Sequence, residues 1–290
     1  MARILVTGAA GYVGKNLVGR LAALGYEIVA TYRTECPDLE GIQWFRCDLQ
    51  SDISQLPPVD YVIHCAVLHP LCQPRPSVVD LIDANVNATH ALGRWAKDVG
   101  VKKFILLSTV TVHGTICVEE LVEDVPMTAV DTYGITKYLS EKVLETFSDS
   151  YTLCTFRLPG VVGPRITNMG RPWLGVVLDN ALTNRPIEIY NSNSLFNNVI
   201  DPSEIIKACA VVLESSNEKA GLFNLAASEP VPLKDMIQHI VNSIGSNSEI
   251  VDIDRNSISY SINISRIRDT LGFVPAPTMK IVARFLEENI

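Results

Sequence analysis

Short runs of β-branched and aliphatic residues recur through the first half of the chain, each followed by a stretch whose apolar positions repeat at helical spacing. Residues 3–6, 28–31, 42–45, 61–65 and 104–107 read as strands, and residues 16–24, 79–99 and 133–147 as helices. Strands that alternate with helices in this way pair in parallel through crossover connections. The pattern therefore predicts an α/β fold, a doubly wound parallel sheet with helices on both faces.

After a sixth strand at 153–157 both periodicities break, because Pro159, Gly160, Gly163, Pro164, Gly170 and Pro172 crowd one segment. Helices over 173–182, 203–213, 233–244 and 279–288 follow, separated by short strands at 187–190 and 222–225. A smaller lobe over the carboxyl edge of the main sheet is expected. The boundaries read as a core over 1–165, to which part of 185–225 returns, and a mainly substrate-binding α/β lobe over 166–290.

Composition narrows the function classes. The 290 residues are 47% hydrophobic and 19% charged, which predicts a chain folded throughout. A formal net charge of -8, with no basic run rising above it, argues against general affinity for nucleic acid or an anionic membrane surface. No apolar run approaches a membrane span, and the start enters a strand pattern without a signal core, so the expected location is cytoplasmic. Cysteines 36, 47, 65, 72, 117, 154 and 209 are scattered and form no C-x-x-C pair, which favours reduced thiols over disulfides or zinc. Histidines 64, 69, 90, 113 and 239 show no metal-ligand spacing, and no metal is expected.

The first strand runs into Gly8-Ala9-Ala10-Gly11-Tyr12-Val13-Gly14 and then a helical pattern. Glycines at such a turn permit close backbone approach and leave the N–H groups and positive end of the helix facing a pyrophosphate. In place and spacing this reads as a dinucleotide-binding turn. An NAD-selecting site normally ends its second strand with an acid that binds the ribose hydroxyls, but here that strand ends Thr31-Tyr32-Arg33. Arg33 reads either as a partner for the 2′-phosphate of NADP, which favours NADP over NAD, or as a solvated surface residue. Asp48 reads either as an acceptor for the adenine amino group or as a helix cap.

Tyr133-Gly134-Ile135-Thr136-Lys137 places a phenol and an ammonium on one face at the start of a helix. A free phenol ionises near pH ~10, so a tyrosine that moves protons at neutrality needs a positive charge nearby. The spacing alone is weak. Its position after the 104–107 strand, on the ligand side of a doubly wound sheet, gives it weight. Ser108 and Thr109 end that strand, where one hydroxyl can hold a substrate oxygen in line with Tyr133 and the other can turn the chain. Asn85 and Asn87 read as binding a backbone carbonyl or a water that leads to Lys137, or as polar helix surface. Glu119, Glu120, Glu123 and Asp124 read as a solvated acidic loop.

Taken together, these residues resemble the extended short-chain dehydrogenase/reductase family of nucleotide-sugar epimerases, dehydratases and reductases. The resemblance extends to Ser108-Thr109-Val110-Thr111-Val112-His113-Gly114, to residues 157–164, to Phe223-Asn224-Leu225 with Glu229-Pro230-Val231, and to residues 264–273. It implies catalytic roles for Thr109, Tyr133 and Lys137. It implies a cofactor set of Gly8, Gly11, Tyr12, Val13, Gly14, Arg33, Asp48, Leu49, Ala66 and Asn85, together with Tyr133 and Lys137. It also implies a substrate site between lobes, with Thr111, His113, Arg165 and Asn197 on its wall, and a homodimer formed through the helices around Asn85 and Tyr133.

The chain departs from that pattern at His113, where the family has Tyr, and at Gly160, where it has Asn. Asn197 stands where the family has an arginine that clamps the substrate pyrophosphate, a charge that Arg165, Arg171 or Arg255 can supply instead. The leading expectation is hydride transfer on a nucleotide-linked sugar, as an NADPH-consuming reductase or as an epimerase that retains its cofactor. An NADP-dependent reductase of a smaller carbonyl compound and a non-catalytic dinucleotide-binding sensor or scaffold are the alternatives.

Overall fold

The structure, a computed structural model, describes residues 2–164, 173–215, 219–253 and 258–290. Its centre is a sheet of seven parallel strands: β1 (Arg3–Thr7), β2 (Glu27–Tyr32), β3 (Gln43–Arg46), β4 (Tyr61–His64), β5 (Lys103–Thr109), β6 (Thr152–Leu158) and β7 (Gly221–Asn224). Their order is β7-β6-β5-β4-β1-β2-β3. The order reverses between β1 and β4, so connections leave in opposite directions and a crevice opens at the carboxyl ends. The expected doubly wound, Rossmann-like fold is present.

Helices cover both faces of the sheet, and the two-residue period of β1 shows why. Ile4 and Val6 pack with Leu17, Val18 and Leu21 of α1 (Tyr12–Ala23), while Leu5 packs with Leu92 and Ala96 on the opposite face. Those two lie on α2, which is α-helical over Val78–Ile82 and Ala88–Asp98 with a π turn at Asp83–Asn87 between them. Next to it on that face is α3 (Thr132–Glu145), which contributes Leu144. Large apolar side chains buried this fully contribute about 1.5–3 kcal/mol each. Strands buried on both faces therefore read as apolar runs and not as alternation.

Local chemistry sets the helix starts. Ser77 and Asp80 form a reciprocal capping box before α2. Asp131 accepts the Gly134 N–H at 2.7 Å before α3. Two further helices follow, α4 (Trp173–Leu182) and α5 (Pro202–Glu214), the second capped by Asp201 with proline in its first turn. At the other end of α5, the buried Lys103 ammonium donates to the carbonyls of Val212 at 2.8 Å, Leu213 at 3.0 Å and Ser215. A cation there neutralises orphaned carbonyls at the negative helix end and ties α5 to β5.

The remaining helices are α6 (Leu233–Ser243), α7 (Ser265–Leu271) and α8 (Thr278–Glu287). Short ladders hold the segments between them: Ile187–Ile189 with Ile250–Asp252, and Leu195–Phe196 with Val231–Pro232. Two more ladders reach back to the core, pairing Val199–Ile200 with Gly160–Val161 and Ser261–Ile262 with Glu120–Leu121. Among the described residues no helix is long and apolar enough to cross a membrane.

Candidate active site

The glycine turn fits a dinucleotide on two counts. Gly8 has φ +64, and a Cβ there would meet the Ala66 backbone at 2.6 Å; at Gly14 a Cβ would meet the Gly8 carbonyl at 2.3 Å. Only glycine lets α1 begin this close to β1 and β4. The helix, whose N-cap is Gly11, has no side-chain cap and no acid in its first turn. The N–H groups of Tyr12, Val13 and Gly14 thus have no partner within the helix and meet its positive end, as a pyrophosphate requires. The helix begins at Tyr12, earlier than the residue 16 its apolar spacing predicted, because Gly14, although buried, has no side chain to register in an apolar pattern. The Tyr12 phenol points elsewhere: its buried oxygen lies against Gly163, and burial followed by the Glu288 and Asp201 carboxylates raises its pKa.

Beside this turn, at the ends of β1, β2 and β4, lies a cleft of about 130 Å³ lined by Gly8, Arg33, Asp48, Leu49 and Ala66. Arg33 is exposed at its rim. Asp48 is exposed as well and accepts the Gln50 N–H at 3.1 Å, so it stabilises a turn while one flank stays open to the cleft.

On the far side of the crevice, α3 presents Tyr133 and Lys137. Lys137 is 4% exposed and its ammonium donates to the Leu107 carbonyl at 2.8 Å, near the end of β5. Burial pulls its pKa down to about 8, against an opposing pull from the Glu141 carboxylate. Burial also raises the Tyr133 phenol, and the Asp131 charge adds to that rise. A phenol in this setting stays protonated unless a bound cation or the ammonium of Lys137 compensates.

Ser108 and Thr109 separate cleanly. The Ser108 hydroxyl points inward and donates to Glu141, whereas Thr109 Oγ1 lies 2.9 Å from Thr111 Oγ1 at the surface of the crevice. Thr109 is therefore the strand-end hydroxyl available to a ligand. Thr111, expected on the substrate wall, is exposed beside it.

Two expectations are corrected. His113 is 1% exposed, and both of its nitrogens are engaged, Nδ1 at 2.9 Å from the Val125 carbonyl and Nε2 at 3.0 Å from an Arg157 nitrogen. Because the guanidinium only donates, Nε2 accepts and His113 is neutral, its pKa lowered first by burial and then by Arg157. It belongs to a buried network in which Arg157 also bonds both oxygens of Glu141. Asn197 is likewise 1% exposed. Its amide donates to the carbonyls of Ala227 at 2.8 Å and Ile262 at 2.9 Å, and its oxygen accepts the Ile262 N–H at 2.7 Å. With every group used on backbone, it pins two segments together and offers nothing to a substrate. Arg165, with Arg171 and Arg255, lies outside the described residues.

The acidic loop is corrected in part. Glu123 is 5% exposed and accepts the Asn224 N–H at 2.8 Å, while Asp124 is exposed and pairs with Arg266. Of the two asparagines on α2, Asn87 is exposed and bonds Asp83. Asn85 is buried at the centre of the π turn. Its side chain bonds Leu68 and Thr136, and its carbonyl accepts the hydroxyls of Thr89 and Ser140.

Sequence reading missed the chain of groups that reaches Asn85 from the glycine turn. Thr89 gives its proton to Asn85, so it accepts from His64 Nε2 at 2.9 Å, and His64 Nδ1 in turn accepts from Thr7 Oγ1 at 2.6 Å. Burial keeps His64 neutral, with a pKa of about 3. No local spacing announces this chain, since its members come from β1, β4 and α2.

A cavity of about 560 Å³ opens in the smaller lobe, walled by Trp173, Tyr190, Phe196 and Tyr260, with Gly160 and Asn198 at its edge. Its size is that of a small-molecule site.

Comparison with known proteins identifies the family and the fold. Over residues 4–226 the chain matches the NAD dependent epimerase/dehydratase family. A dTDP-4-dehydro-6-deoxy-D-allose reductase of Streptomyces sp is 25% identical, over 94% of this chain and 92% of that protein. UDP-glucuronic acid 4-epimerase from Bacillus cereus, in complex with NAD, superposes with a TM-score of 0.81 at 20% identity, covering 99% of this chain and 98% of that one. The Bordetella bronchiseptica enzyme WbmG, in complex with NAD and UDP, gives 0.81 at 19% identity, covering 99% and 95%. The chain belongs to the NAD-dependent epimerase/dehydratase family.

Proposed function

We propose that the chain moves hydride between a nicotinamide cofactor and a ring carbon of a nucleotide-linked sugar, with Tyr133 as the acid/base. The observation that carries this reading is the buried Lys137 ammonium, held on the Leu107 carbonyl one helical turn from Tyr133. A buried cation is costly unless it serves an anion. The Lys137 ammonium already lies in the field of the Glu141 carboxylate, and the further anion assigned to it here is the Tyr133 phenolate, formed one helical turn away when the proton is transferred.

When bound, the nicotinamide supplies or accepts the hydride. The N–H groups of Tyr12, Val13 and Gly14 hold the pyrophosphate, and Arg33 at the cleft rim binds a 2′-phosphate, which favours NADP(H). Thr109 Oγ1 orients the substrate oxygen. Tyr133 gives that oxygen a proton as hydride arrives at the carbon, or takes one as hydride leaves. Lys137 binds the ribose and stabilises the phenolate. The aromatic cavity takes the nucleoside; a relative named as a reductase of a dTDP-linked sugar supports a nucleotide-linked substrate.

A two-fold homodimer belongs to this reading. Val79 is 63% exposed and Val78 55% on α2, beside Ile135 at 48% and Leu139 at 41% on α3. Two neighbouring helices with an apolar outer stripe suit self-association, which sedimentation of the wild type and of Leu139→Glu tests.

The functional test is incubation with NADPH and, separately, with NAD⁺ or NADP⁺, offering UDP-glucose, UDP-glucuronic acid and a dTDP-4-dehydro-6-deoxyhexose. A reductase consumes NADPH in proportion to product. An epimerase interconverts sugars with no net change in cofactor absorbance. Failure of every sugar together with reduction of a simple ketone moves the activity to a small carbonyl substrate.

A further inference from the structure

Five residues beyond the end of β4 the chain reaches His69, whose place is set from two sides. Asn85 grips Leu68 through both peptide groups, accepting its N–H at 2.8 Å and donating to its carbonyl at 3.1 Å. The same Asn85 nitrogen reaches Thr136 Oγ1 at 3.2 Å, and that hydroxyl donates to the Tyr133 carbonyl at 2.9 Å. One buried amide thus fixes the residue before His69 and the first turn of α3 together. In consequence the imidazole lies against the Tyr133 phenol ring, with centroids 4.8 Å apart and planes inclined at 59°.

The ring has a defined orientation. The Leu71 N–H donates to His69 Nδ1 at 3.2 Å, so the neutral imidazole carries its proton on Nε2. Burial lowers the His69 pKa and outweighs the Asp131 carboxylate that raises it, which keeps the ring neutral at physiological pH. His69 is half-buried, and among the described residues its Nε2–H has no hydrogen-bond partner. A polar N–H left open in a partly dry site, beside the proton-transfer group, is where a ligand acceptor gains most.

We propose that His69 is a substrate-contacting residue of this site, its Nε2–H donating to a sugar oxygen on the carbon next to the one that exchanges hydride. The two rings are in contact, and each carries a polar group, the phenol hydroxyl and the imidazole N–H. Oxygens on adjacent sugar carbons match such a pair. Thr109 and Tyr133 hold the reacting oxygen, while His69 fixes which neighbouring carbon lies beside it, and so which carbon meets the nicotinamide. This assignment rests on the reading of Tyr133 given above.

The test compares His69→Phe, which keeps the ring contact and loses the donor, with His69→Gln, which keeps a donor at similar reach and loses the aromatic ring. The assay uses whichever of UDP-glucose, UDP-glucuronic acid and the dTDP-4-dehydro-6-deoxyhexose the wild type turns over fastest, with cofactor affinity and thermal unfolding measured in parallel. The expected result is a fall in kcat/KM of about 10- to 100-fold for His69→Phe and a smaller loss for His69→Gln, with cofactor affinity and folding unchanged in both. A ring that merely supports Tyr133 gives the reverse order, with Gln worse than Phe, and overturns the assignment. So does a His69→Phe enzyme as active as an active wild type. A wild type that turns over none of the three sugars overturns this assignment and the nucleotide-sugar reading together.

Discussion

The guanidinium of Arg157 bonds both carboxylate oxygens of Glu141 in the interior, at 3.1 and 2.7 Å. Arg157 stands near the end of β6 and Glu141 one turn beyond Lys137 on α3, so the pair fixes the rotation of the helix that carries Tyr133. The Ser108 hydroxyl on the same carboxylate links it to β5. Bidentate geometry of this kind sets orientation as well as energy.

Replacing Arg157 with Met leaves Glu141 buried without its ion pair, the Ser108 hydroxyl alone remaining on the carboxylate. The expected loss is about 3–5 kcal/mol of unfolding free energy. Urea denaturation checks it, and a midpoint unchanged from wild type would show that the pair contributes no stability.

Lys137 links stability to pH in a direction set by its lowered pKa. The unfolded chain holds this proton up to about 10.5 and the folded protein only to about 8, so the burial penalty is full below pH 8 and shrinks as pH rises between the two values. Lys137→Met is therefore expected to be more stable than wild type at pH 7, by on the order of 1–3 kcal/mol, and inactive. The stability gain should narrow as pH increases above 8. Denaturation at pH 7 and pH 9.5 measures both points.

Asn197→Ala separates a structural pin from a substrate ligand. Removal of the amide strips partners from the Ala227 carbonyl and from both peptide groups of Ile262, at a cost of about 2–4 kcal/mol. Thermal unfolding should fall accordingly while calorimetric affinity for the cofactor holds. Unchanged stability with weakened sugar binding would return Asn197 to the substrate wall.

Much of this molecule was legible from local pattern. The order of strands and helices, the glycine turn and the Tyr133–Lys137 pair all depend on spacing along one stretch of chain, which the sequence displays directly. Where groups from distant strands meet, the pattern falls silent. Nothing near His113 reveals that Arg157 and the Val125 carbonyl will occupy both its nitrogens, and nothing near Asn197 reveals the peptide groups of Ala227 and Ile262. The helical spacing of residues 79–99 hides the π turn, because an inserted residue shifts the apolar face without erasing it. That turn is what brings Asn85 to Leu68 and Thr136, and through them His69 to Tyr133.

Tyr133→Phe tests the central claim most directly, with cofactor affinity by calorimetry and turnover of the accepted sugar measured on the same preparation. The account predicts a fall in kcat of at least about 100-fold with cofactor affinity nearly unchanged, since only the proton-transfer group is lost. A phenylalanine variant with wild-type turnover contradicts it.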